Sequence, residues 1–78
     1  MNKTWANVHY VTNVARDDQE GWIALELTRQ VGAAAERIAR VVFWDAEGKF
    51  SLEMSAKEIP LTIVEELIAE AKQTISLR

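Results

Sequence analysis

Cysteine is absent from this 78-residue chain, histidine and proline occur once each, and glycine three times. Each scarcity removes a class of chemistry. Without cysteine there is no disulfide, no thiolate nucleophile and no thiolate metal ligand. A structural zinc would have to use His9 and carboxylates alone, so neither metal nor cofactor is expected. With one imidazole, set among strand-like residues, local sequence assembles no nucleophilic set, and Ser51 and Ser55 have no base beside them. Gly21, Gly32 and Gly48 are isolated from one another, which excludes a phosphate-cradling loop of the P-loop or dinucleotide type. No run of about 18 apolar residues exists to span a bilayer, and the first residues lack the apolar stretch of a signal peptide. The expectation is a cytoplasmic protein that is not an enzyme.

What the chain does contain is ordinary for a globular domain: 49% hydrophobic and 27% charged residues, with a net charge of −3. Its length holds one domain, residues 1–78. A chain of this size buries only about 60–65% of its unfolded surface, and such domains often gain stability by oligomerising. The acidic balance opposes general attraction to phosphate backbones or anionic lipid. Against this plain background stand three tryptophans, Trp5, Trp22 and Trp44. Tryptophan buries a large area while losing few rotors, so it is enriched where proteins meet partners.

Periodicity predicts strands over most of the chain. Residues 5–15 place Val8, Tyr10, Thr12 and Val14 on one parity and Asn7, His9, Val11 and Asn13 on the other. Residues 16–21 read as a turn, and residues 22–29 alternate again, with Ile23, Leu25 and Leu27 opposed to Trp22, Ala24 and Glu26. Residues 30–40 are ambiguous, since the alanine-rich stretch has helix propensity. No cap opens such a helix, however, and no breaker separates it from Val41, so a loop at 31–35 and a strand over 36–45 is the preferred reading.

The segment Asp45-Ala46-Glu47-Gly48-Lys49 is a hairpin signal, with Gly48 suited to the left-handed closing position. A three-residue loop pairs Asp45 with Lys49. It puts Trp44 opposite Phe50, Val42 opposite Leu52 and Arg40 opposite Met54 on one face. Phe43 and Val41 then lie on the other face, opposite Ser51 and Glu53. A helix is expected to start between Pro60 and Ile63, helped by a Thr62/Glu65 capping box, and to bury Val64, Leu67, Ile68, Ala71 and Ile75.

The fold expected is therefore α+β: a three- to four-stranded antiparallel meander with one C-terminal amphipathic helix packed on one face. That helix would cover Trp44, Phe50, Val42, Leu52 and Met54. The second face, carrying Trp22, Val41 and Phe43, would stay too apolar to be wet unless the amino-terminal strand crossed it or a partner did. A second copy is the simplest partner, because a two-fold axis lets one patch meet itself. The function expected is a small protein–protein interaction or regulatory module, a homodimer using that aromatic face.

Two alternatives use the same surface. In element order alone, four strands followed by a helix resembles dimeric single-stranded DNA-binding coactivators. Stacking platforms with Arg37 and Lys49 would serve such binding, although Glu26, Asp45 and Glu53 oppose it. A small-ligand-binding domain is the other alternative. The acidic run Asp17, Asp18 and Glu20 lacks the ligand spacing of a calcium loop and reads as a solvated turn, and Glu65, Glu66 and Glu70 read as a polar helix flank.

Overall fold

Positive φ values at Ala6, Asn7, Gly21, Gly32 and Gly48 fall at four chain reversals, and those reversals define the architecture. The computed structural model describes residues 1–76. Five strands, β1 (Asn2–Trp5), β2 (Val8–Asp17), β3 (Trp22–Val31), β4 (Ala34–Trp44) and β5 (Lys49–Met54), precede one helix, α1 (Leu61–Ser76). The strands form a single antiparallel meander in the order β1-β2-β3-β4-β5. The α+β class holds, with five strands in place of three to four.

The additional strand comes from a turn that its residues do not advertise. Ala6 and Asn7 both adopt left-handed φ, 53° and 66°, the demand of a type I′ hairpin for which Asn-Gly is the usual pair. The expected strand over residues 5–15 is thus split, and β1 folds back in the plane of the sheet without crossing a face. At Gly32 a positive φ followed by Ala33 makes a two-residue turn of the type II′ kind. The chain continues as a strand from Ala34, and the helical alternative for residues 31–40 is not adopted.

The hairpin at Asp45 corrects the expected register by one residue. Its loop holds four residues, not three, because Trp44 pairs with Lys49, Phe43 with Phe50 and Val41 with Leu52. The Gly48 amide donates to the Trp44 carbonyl at 2.8 Å. The β2–β3 loop has the same length, with the Gly21 amide bonded to the Asp17 carbonyl at 2.8 Å, and the Asp45 amide bonds to the Gly21 carbonyl. Since strand side chains alternate, one extra loop residue exchanges the faces of β4 relative to β5. Val41 and Phe43 turn toward the helix, and Val42 and Trp44 away from it.

A bulge in β4 makes a second local change. Leu27 pairs with Ala39 but Thr28 with Arg37, so Ile38 is the extra residue. Ile38 and Ala39 both enter the core, and Arg37 joins Arg40 on the opposite face.

The helix begins where Pro60 accepts bonds from the Ile63 and Val64 amides at 3.0 and 3.1 Å. Proline at this boundary forfeits no bond, since it has no N–H. Burial of Ile59 sets Pro60 as the cap, which leaves Thr62 inside the first turn and removes the expected capping box. Ile59, Ile63, Leu67, Ala71 and Ile75 form the buried line at a spacing of four, with Val64 and Ile68 packed at its margin. They lie on Ile23, Leu25, Leu27, Ile38 and Val41. Burying Ile63, Leu67 and Ile75 contributes roughly 1.5–3 kcal/mol each. Glu66 and Glu70 tie the helix to the first two strands: Lys3 Nζ donates to Glu66 Oε2 at 2.7 Å and Thr12 Oγ1 to Glu70 Oε2 at 2.9 Å.

Leu67→Ala is expected to destabilise the fold by about 2–5 kcal/mol, read as a shift in urea midpoint at constant slope. Replacing Ala6 and Asn7 together by Asn and Gly should raise stability by about 1 kcal/mol, because it relieves the left-handed strain and supplies the preferred turn pair. An unchanged midpoint would mean that the first hairpin is not formed in solution.

Candidate functional site

The helix covers one face of the sheet, and among the described residues no element lies over the other. Cross-strand pairing arranges that open face in rows. At one end Asp17, Trp22, Trp44 and Lys49 stand side by side on β2 to β5. The next row holds Ala15, Ala24, Val42 and Ser51, and the third Asn13, Glu26, Arg40 and Glu53. Small residues in the middle row leave a shallow trough between two rows of large side chains.

Ala24 and Val42 are 0% exposed although no second layer of the described residues covers them. The side chains around them close over the trough. The Arg40 guanidinium carbon sits 4.9 Å from the Trp22 ring centroid, a contact worth about 0.5–1 kcal/mol at an accessible site. Arg40 Nε also donates to Glu53 Oε1 at 2.7 Å, and Arg37 Nη1 to Glu26 Oε2 at 2.8 Å. Trp22 and Trp44, paired directly across β3 and β4, remain half-buried.

Of the residues expected there, Trp22 is in place. Val41, 4% exposed, and Phe43 are corrected to the helix side, where the Phe43 and Phe50 rings lie 5.0 Å apart at 57°. The residue that accompanies Trp22 is Trp44, expected under the helix and moved out by the longer loop. Arg40 changes face for the same reason. Arg37 and Lys49 do share the open face, but they lie at opposite ends of β4's length, about 20 Å apart along the strand direction. Arg37 is engaged by Glu26, and Lys49 by Glu47 at 3.1 Å.

Nothing in the sequence separated the two faces here, because Val41-Val42-Phe43-Trp44 is apolar on both parities. The one available signal was the matched four-residue spacing of Gly21 and Gly48 from the strands they close.

The chemistry-bearing groups elsewhere have structural partners. His9 Nδ1 lies 3.2 Å from Thr4 Oγ1 on the neighbouring strand. Asp17 Oδ1 accepts the Gln19 and Glu20 amides, each at 3.0 Å, so the acidic run builds its own turn. Among the described residues no three His, Asp or Glu side chains gather as metal ligands, and no helix is long and apolar enough to cross a membrane. Comparison with known protein families, characterised proteins and solved structures found no match.

Proposed function

We propose that the protein is a small interaction module that associates with a second copy of itself through the tryptophan-bearing sheet face. The Trp22–Trp44 pair on a face that no part of the described chain covers is the observation that carries this reading. Half-buried paired tryptophans with charged groups toward the margin have the composition of an interface centre.

The charge order favours a self-complementary contact. A two-fold axis running across the Ala24–Val42 row sets Trp44 against the partner's Arg40 and Trp22 against the partner's Glu26. Trp44 then meets a cation, and each protomer supplies both halves of that contact. A regulatory or adaptor role in the cytoplasm fits such a module.

Single-stranded nucleic acid is the second reading, because Trp22, Trp44, Arg37, Arg40 and Lys49 all occupy this face. Glu26 and Glu53, ion-paired with Arg37 and Arg40, offset that positive charge and rank this reading below self-association.

Sedimentation equilibrium should show a dimer with a dissociation constant in the micromolar range, about −8 kcal/mol. Trp44→Glu should weaken it at least about tenfold by placing charge in a desolvated contact, with no loss of folded helix and sheet signal. A strict monomer at concentrations of about 200 μM would overturn the proposal. An oligonucleotide complex that weakens steeply with salt and is lost in Trp44→Glu would promote the second reading.

A further inference from the structure

The helix stops short of the far end of the sheet. The molecule is 38 Å long, whereas a helix of 16 residues spans about 24 Å. Residues 30–37, at the tip of the β3–β4 hairpin, are all exposed. On the helix side, near this end, lies an open cleft of about 490 Å³. Its walls are Val8, Tyr10, Arg29, Val31, Ala35 and Glu36. Trp5, 46% exposed, stands opposite Val8 on the edge strand.

Two polar groups in this cleft are short of partners. Tyr10 is only 3% exposed, and among the described residues its hydroxyl has no hydrogen-bond partner. It is not sealed off, since among the described residues no side-chain polar atom is both fully buried and unbonded, so the hydroxyl keeps contact with solvent. Directly across the strand pair is Arg29, whose side chain is 28% exposed. Arg29 Nη2 donates to Glu36 Oε1 at 2.9 Å, and its remaining donors have no partner among the described residues. A guanidinium carries five N–H donors, so most of its capacity faces the cleft or water.

We infer that this cleft is a binding site for a small amphipathic monocarboxylate, whose carboxylate bridges the Arg29 guanidinium and the Tyr10 hydroxyl while its apolar body lies against Val8, Val31 and Ala35. A buried, unbonded phenol and a partly exposed guanidinium with donors to spare, cross-strand neighbours lining one cleft, are complementary to a carboxylate. The volume is in the range of small-molecule sites. Glu36 offsets part of the Arg29 charge, which suits a singly charged acid better than a dianion.

The probes are 4-phenylbutyrate, 4-phenylbutanol and 4-phenylbutylamine, which share an apolar body and differ in the head group, each titrated into the ¹⁵N-labelled chain. The acid should give saturable amide shifts centred on Val8, Tyr10, Arg29 and Val31, with the alcohol at least about tenfold weaker and the amine weaker still. Tyr10→Phe should weaken the acid by about three- to tenfold, and Arg29→Gln should abolish the preference for acid over alcohol. Trp44→Glu should leave acid binding unchanged, which separates this site from the self-association face. Equal binding of the three head groups, shifts centred on Trp22 and Trp44, or no shifts by about 5 mM acid would each overturn the inference.

Discussion

One helix, seated through Ile63, Leu67, Ala71 and Ile75, has to shield a sheet that is both longer and wider than itself. Five strands at about 4.8 Å spacing are roughly 20 Å across, and a ten-residue strand runs about 33 Å, against a helix about 10 Å wide and 24 Å long. That mismatch governs the rest of the molecule. The helix lies on β3 and β4, where Ile23, Leu25, Leu27 and Val41 offer a continuous apolar floor, and leaves the periphery to other devices. Lys3 and Thr12 hold its flank to β1 and β2 through Glu66 and Glu70. What the helix does not reach becomes the open sheet face and the cleft beyond its end.

The open face shows how a sheet closes over its own backbone without a second layer. Large side chains on either side of a row of small ones bring Ala24 and Val42 out of contact with water. Trp22 and Arg40 stack, and Arg40 and Arg37 each satisfy a carboxylate on a neighbouring strand. This arrangement screens the backbone but leaves two indoles half-exposed, which is the physical basis for the proposed self-association.

The two ends of the sheet differ in kind. Four-residue loops close one end, each ending in a left-handed glycine and linked by the Asp45 amide to the Gly21 carbonyl. The other end tapers into two-residue turns at Ala6-Asn7 and Gly32-Ala33, with an exposed hairpin tip. The apolar cleft with its under-bonded phenol and guanidinium lies toward this second end. The proposed self-association face and the proposed carboxylate site therefore lie on opposite sides of one sheet, with its central strands between them.

By itself the sequence determined the α+β class, the order of strands before helix, the existence of chain reversals ahead of Trp22 and Lys49 but not the second one's length, and the helix with its Leu67, Ala71 and Ile75 stripe. These follow from local chemistry, namely period-two alternation, period-four spacing, glycine at turns and proline at a helix start. The first hairpin escaped because Ala6-Asn7 carries no glycine. Only the tertiary structure decided which face each β4 residue occupies. Val41, Val42, Phe43 and Trp44 satisfy either parity, so the choice passed to loop length and to the bulge at Ile38. Those features depend on how β4 meets β3, β5 and the helix together. One residue of loop moved Trp44 and Arg40 outward beside Trp22 and drew Val41 and Phe43 into the core, because side chains on adjacent strand positions point to opposite faces.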